Sequence, residues 1–319
     1  MKVFLSGGAG FIGSNILLRM LDDDRFSKIC VYDNLSSGTL EHIAFAQGSE
    51  KFQFIKAEIK DLEILKKAMQ GFDLVIHLAA NPDIAKAVTQ PDIDFWEGTF
   101  LAQNILEAMR VNAVPNLLYT SGSGVYGENP DVRFSENYGP CIPISTYGAS
   151  KLACEGLIAA YCHMFGLRAR VFRFANVVGP KQTHGIGYDF IKKLSNNSHE
   201  LEILGDGTQL KSYIYIADIV DAIEMVLEDL EKRKEVFDVF NVATDDLISV
   251  TEIANIACDV MGLTRERVIY KYTGGDRGWK GDVPKVILDA SKIKSLGFKV
   301  KNNSSQAIQK SIFEMYQYK

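Results

Sequence analysis

Lys2-Val3-Phe4-Leu5-Ser6-Gly7-Gly8-Ala9-Gly10-Phe11-Ile12-Gly13 is the stretch on which the reading of this chain turns. A short apolar strand pattern runs into Gly7, Gly10 and Gly13, and an apolar helical pattern (Ile12, Ile16, Leu17, Met20, Leu21) follows at once. The glycines permit a tight turn and close backbone approach. The helix behind them offers free N–H groups and the positive end of its dipole, so a pyrophosphate can rest there. A second strand pattern, Lys28 to Tyr32, ends at Asp33, 20 residues after Gly13, where a carboxylate can accept hydrogen bonds from adenosine ribose hydroxyls. Beyond it, Asn34, Leu35, Ser36, Ser37 and Gly38 include no Arg or Lys to neutralise a 2′-phosphate, and Asp33 would repel one. The expected cofactor is therefore NAD rather than NADP.

Outward from this unit, short strand patterns recur at Phe52 to Ala57, Leu74 to Leu78, Asn116 to Ser121 and Arg168 to Phe174, separated by helical patterns. That alternation predicts an α/β chain: a Rossmann, doubly wound parallel sheet with helices on both faces. Asp92 to Arg110 places Phe95, Ala102, Ile105, Leu106 and Met109 at helical spacing, which predicts one helix with that face on the sheet. After residue 176 glycine-rich turns such as Gly205-Asp206-Gly207 and Gly274-Gly275-Asp276 break the rhythm. The expected division is 1–176 for the dinucleotide and 177–319 for a smaller α/β substrate domain, with 212–243 returning to the first.

At 319 residues and 47% apolar content, two cores can be filled. The net charge of −5, with basic residues scattered, gives no stripe for nucleic acid. Five cysteines without a CxxC pair suit reduced thiols, and hence the cytoplasm, better than a disulfide framework. No apolar run approaches the length of a membrane helix, and the N-terminus opens into a strand pattern without a basic leader, so neither membrane nor secretion is expected. The five histidines show no ligand spacing, and no metal is assigned.

Tyr147 and Lys151 form YxxxK on a long helical stretch, Tyr147 to Phe165, where i,i+4 spacing puts both on one face. A phenol working as a general base near neutrality must ionise roughly three units below its ordinary 10, about 4 kcal/mol. One unit charge at about 4 Å supplies roughly that at an effective dielectric near 20. By itself YxxxK is common and carries little weight. Behind a dinucleotide fingerprint it belongs to a larger set: Gly7-Gly8-Ala9-Gly10-Phe11-Ile12-Gly13, Tyr32-Asp33-Asn34-Leu35, His77-Leu78-Ala79-Ala80, Val125-Tyr126-Gly127, Tyr147-Gly148-Ala149-Ser150-Lys151 and Arg173-Phe174-Ala175-Asn176.

With these motifs the chain resembles the extended short-chain dehydrogenase/reductase family, and within it the nucleotide-sugar epimerases and dehydratases. Gly205-Asp206-Gly207-Thr208-Gln209-Leu210-Lys211-Ser212-Tyr213 and Gly278-Trp279-Lys280-Gly281-Asp282 are most similar to the archaeal-type branch of the UDP-glucose 4-epimerases. The resemblance implies that Glu58 and Ile59 flank the adenine, that Leu78, Ala79 and Ala80 pass beneath the cofactor, and that Phe174 lies by the nicotinamide. It implies that Asn176 and Lys211 hold the substrate diphosphate, with Arg277, Trp279 and Lys280 as further pocket residues. It also implies a homodimer formed through Asp92 to Arg110 and Tyr147 to Phe165. The activity implied is 4-epimerisation of a nucleotide sugar, a UDP-hexose, through a 4-keto intermediate. Tyr147 would take the C4 hydroxyl proton.

Two positions depart from the family. Gly122 stands where relatives carry a Ser or Thr whose hydroxyl bridges substrate and tyrosine, and Gly98 where many have Asn. Three alternative outcomes follow: Ser121 or Ser123 reaches in through a local bend, a substrate hydroxyl or water bridges to Tyr147, or turnover is slow. The alternatives are a 4,6-dehydratase and a catalytically weakened binding protein. Against the first, Ser123-Gly124 replace the Asp-Glu pair that dehydratases use at C5 and C6. Against the second, Tyr147 and Lys151 are intact.

Overall fold

Why the sheet is parallel is visible in its central strands: β4 (Leu74–His77) is buried along its whole length, as a strand covered on both faces must be. In this computed structural model, which describes residues 1–317, β1 (Lys2–Ser6) pairs in parallel with both β4 and β2 (Lys28–Asp33). β3 (Phe52–Lys56) extends the sheet beyond β2, and β5 (Asn116–Gly122) beyond β4. The strands Arg168–Phe174 and Phe237–Val242 complete seven, in the order Phe237–Val242, Arg168–Phe174, β5, β4, β1, β2, β3. The chain runs outward from β1 to β3 and then restarts at β4 on the other side. The order therefore reverses between β1 and β4, the switch point at whose C-terminal strand ends sheets of this kind bind their ligands.

The chain divides into two units. The first comprises Met1–Val125, Thr146–Arg173 and Val220–Phe240. The stretch Val220–Phe240 joins the sheet because Arg170, fully buried in its strand, pairs at 2.9 Å with Asp229 of the helix Ile216–Lys232. The helices α1 (Phe11–Leu21), α2 (Leu62–Ala68), α3 (Phe100–Val111) and α4 (Thr146–Phe165) cover the sheet. The second unit holds 126–145, 174–219 and 241–317. It is made of short pairings: Asn176–Val178 with Tyr213–Tyr215, Glu200–Ile203 with Ile269–Tyr272, and Leu210–Lys211 with Ile248–Ser249.

One expected helix is broken in register. Phe95–Thr99 is a π-turn running into α3, and the extra residue rotates Phe95 out to solvent, whereas Ala102, Ile105, Leu106 and Met109 are buried as their spacing predicts. Among the described residues no helix is long and apolar enough to cross a membrane.

Candidate active site

At the switch point of the sheet, Gly7 adopts a positive φ of 75°, and a Cβ there would stand 2.7 Å from the Ala79 nitrogen. A Cβ on Gly13 would meet the Gly7 carbonyl oxygen at 2.5 Å. The glycine turn is thus closed on itself and on the backbone after β4, which no larger residue allows. α1 begins at Gly10 with no side-chain cap and no acidic residue in its first turn. An N-terminus without a capping side chain or an acidic neighbour is the electrostatic setting that suits a pyrophosphate.

Asp33 ends β2 nearly buried. One carboxylate oxygen accepts the Ala9 N–H at 2.9 Å and the other the Leu35 N–H at 2.8 Å. A carboxylate has about four acceptor positions, so two stay open for vicinal ribose hydroxyls. Gly38 folds back on the same turn, its would-be Cβ 2.7 Å from the Ala9 carbonyl. Asn34 donates to Glu58 at 3.1 Å, and Ser36 donates its N–H to the Asn34 side chain, so the loop is braced from within; Ser36 and Ser37 are exposed. Ile59 is buried beside Glu58, while Leu78, Ala79 and Ala80 form a half-buried shelf beyond β4. Gly7, Gly13 and Gly38 thus leave no room for a side chain around the turn.

Tyr147 and Lys151 lie on the first two turns of α4. Lys151 is only 5% exposed; its Nζ donates to the Thr120 carbonyl at 2.8 Å and sits 5.0 Å from the Tyr119 ring centre and 5.6 Å from that of Tyr147. A desolvated ammonium between two aromatic faces is well placed to stabilise a neighbouring phenolate. Burial holds the Tyr119 phenol well above its ordinary range, so it stays protonated. His77, at the end of β4, is pushed down to about 3 by burial and by the Lys151 cation. It stays neutral and shares a 2.8 Å hydrogen bond with the Ser6 hydroxyl.

The two candidate serines part company here. Ser121 donates to Glu155 at 2.6 Å, and Glu155 is paired at 2.6 Å with Arg173, all three buried. Its hydroxyl is thus engaged by Glu155. Ser123 opens the 3-10 turn Ser123–Tyr126, half-buried, and its hydroxyl has no partner among the described residues.

In the second unit Asn176 donates its side-chain amide to the Ser212 carbonyl at 3.1 Å, which fixes it on its strand; Phe174, buried, ends the strand before it. Lys211 is paired with Asp282, whose other oxygen accepts the Gly278 N–H at 3.1 Å. Arg277 bridges Asp276 at 2.9 Å and Glu128 at 3.3 Å, which strengthens its hold on its proton. Trp279 is half-buried, and Lys280 is exposed. The five predicted residues of this unit therefore lie along Asn176, Lys211 and the loop around Arg277.

Residues 3–243 match the NAD dependent epimerase/dehydratase family. The chain belongs to that family. A crystallised UDP-galactose 4-epimerase superposes with a TM-score of 0.88 at 33% identity, covering 100% of this chain and 99% of that one. The Thermotoga maritima UDP-glucose 4-epimerase, solved with UDP-glucose, gives 0.87 at 29% identity, over 100% and 99%. The UDP-glucose 4-epimerase of Mycolicibacterium smegmatis is 33% identical over 70% of this chain and 72% of its own. The chain is accordingly an NAD-dependent enzyme of the nucleotide-sugar epimerase kind.

Set within this family, the departure at Gly98 acquires a reason. A Cβ there would stand 2.4 Å from the Ser150 hydroxyl, so no asparagine fits while Ser150 keeps its place. The partners of that hydroxyl carry no signal in the sequence. Ser150 donates to the Asp94 carbonyl at 2.7 Å, and Thr146 donates to the Asp94 carboxylate at 2.7 Å. Nothing local marks Asp94; a signal did exist for Glu155, which continues the i,i+4 row from Tyr147 and Lys151 as a charge in an otherwise apolar helix.

Proposed function

We propose that this enzyme inverts C4 of a UDP-hexose, interconverting UDP-glucose and UDP-galactose or their N-acetylated counterparts. The buried Lys151 ammonium beside the Tyr147 ring carries this reading. Bound NAD supplies the hydride acceptor, and afterwards the donor, for sugar C4. Tyr147 removes the C4 hydroxyl proton and later returns one, with Lys151 stabilising the phenolate in between. Ser123 supplies the hydroxyl that Gly122 lacks. The cofactor is held by the turn Gly7 to Gly13, including the Phe11 and Ile12 backbone, by Asp33 to Gly38, and by Leu78 to Ala80. The second unit serves the nucleotide sugar: Asn176 and Lys211 take the diphosphate, with Arg277, Trp279 and Lys280 about it. A grip on the nucleotide rather than the hexose lets the 4-keto sugar turn its other face before reduction.

The assembly we propose is a cytoplasmic homodimer. Phe95 and Trp96 on the π-turn, with Met164 and Phe165 at the end of α4, are exposed apolar side chains on two helical segments that pack together. Among the described residues none of the five cysteines forms a disulfide, which favours a reducing compartment.

Incubation of the purified protein with UDP-galactose, with UDP-glucose followed by a coupled assay, tests the reaction. Epimer is expected, and Tyr147→Phe should lower kcat by about 10²–10⁴ while NAD stays bound. Ser123→Ala should lower kcat to a lesser degree. A 4-keto product with an alkaline chromophore would instead mark a dehydratase, and no conversion of any UDP-sugar would leave a binding protein.

A further inference from the structure

We propose that Asp94 is a positioning residue for the Tyr147–Lys151 pair, acting through the residue that precedes each of them. Asp94 is 2% exposed, and it acts on the pair through its hydrogen bonds to their neighbours. Its Oδ2 accepts from the Thr146 hydroxyl at 2.7 Å, and its main-chain carbonyl accepts from the Ser150 hydroxyl at 2.7 Å. Thr146 precedes Tyr147 and Ser150 precedes Lys151, so one residue fixes the catalytic helix at two points a turn apart. Two fixed points on one face set the rotation of the helix about its axis and its position along it. These are the two quantities that decide where a phenol and an ammonium on the adjoining face point.

The same residue reaches the cofactor shelf. Asp94 Oδ1 accepts from Asn81 Nδ2 at 2.9 Å, and Asn81 directly follows Leu78, Ala79 and Ala80. Asn81 is itself pinned, its Oδ1 accepting the Asp83 N–H at 3.0 Å. Asp94 therefore ties the segment that follows β4 to the start of α4 by direct hydrogen bonds. Thr99 adds a 2.9 Å bond to the Ser150 hydroxyl from the far side of the π-turn. Gly98 completes the arrangement by its emptiness, because an alanine there would evict the Ser150 hydroxyl from both bonds.

The inference rests on Tyr147 and Lys151 being the catalytic pair, and the test separates the two. Thr146→Val and Asp94→Ala should lower kcat by about 10- to 100-fold, the scale of an ångström of misplacement, with KM for UDP-galactose within about twofold. Gly98→Ala should do the same. Hydrogen exchange should accelerate at the amides of residues 150–154, which bond to first-turn carbonyls, while the sheet keeps its protection. Asp94→Asn should be rescued, since its amide oxygen can accept from Asn81 and its NH2 can donate to Thr146. Unchanged exchange at 150–154 in Thr146→Val and Asp94→Ala would overturn the proposal, as would an Asp94→Asn enzyme as damaged as Asp94→Ala. If the unaltered protein converts no UDP-sugar, the catalytic reading falls, and the exchange data alone decide whether Asp94 holds the turn.

Discussion

Asp33 in the first unit is held by two backbone N–H groups, whereas Lys211 in the second is closed against Asp282, and Arg277 against Glu128 and Asp276. Backbone amides orient a carboxylate without cancelling its charge. A side-chain ion pair does cancel it, until a better partner arrives. On the proposed function, this contrast suits a resident cofactor in the first unit and a substrate that comes and goes in the second. Lys151 follows the first pattern, since a carbonyl and two aromatic faces hold it with its charge intact.

The largest effect expected from this contrast lies behind the catalytic helix. Glu155 and Arg173 form a buried pair joining α4 to the strand Arg168–Phe174, with Ser121 donating from β5. Glu155→Ala leaves Arg173 charged, buried and short of its carboxylate, which costs about 3–5 kcal/mol. Urea unfolding should show the loss as a lower midpoint. A loss under about 1 kcal/mol would mean that the first unit is not rigid behind its site, and the contrast would fail.

Acid should strike the same unit next. His77 is held neutral, with its folded value at about 3 against an ordinary 6.5. Between those values the unfolded chain binds a proton that the folded chain refuses, so stability is full above the unfolded value and falls as pH drops through the window. At about pH 5 the loss from this group is about 2 kcal/mol. His77→Gln should flatten that part of the stability profile. An unaltered slope in that variant would show that the Lys151 cation and the burial around His77 are relieved by local opening.

How much of this was legible in the sequence follows from range. β1, β2 and the glycine turn are local patterns, and Gly7 to Asp33 could be read as one unit because each part constrains its neighbours. The edge strand Phe237–Val242 was not read as a strand, since Asp238 and Asn241 interrupt its apolar run; only the return of 212–243 was expected. Phe95 was misplaced because a π-turn adds one residue without any signature in composition. Asp94 reaches partners 13, 52 and 56 residues away, and the Lys211–Asp282 and Arg277–Glu128 pairs span 71 and 149. Such contacts are fixed by tertiary packing, which no spacing rule encodes. The Ser121–Glu155 bond, 34 residues apart, is of the same long-range kind.

The sharpest form of the comparison removes one carboxylate from each unit and asks for opposite signs. Asp33→Asn takes away a charged acceptor for ribose hydroxyls, so NAD should bind roughly tenfold more weakly in a calorimetric titration. Asp282→Asn keeps a carbonyl oxygen for the Gly278 N–H but frees the Lys211 charge. The Lys211–Asp282 pair is partly solvated, so its release is worth no more than about 1 kcal/mol, and UDP should bind up to about fivefold more tightly. Lys211→Ala should cancel that gain in the double variant, because the freed cation is its only source. Weaker UDP binding in Asp282→Asn would mean that Asp282 shapes the Gly278 loop more than it occupies Lys211. Both units would then be organised in advance in the same way.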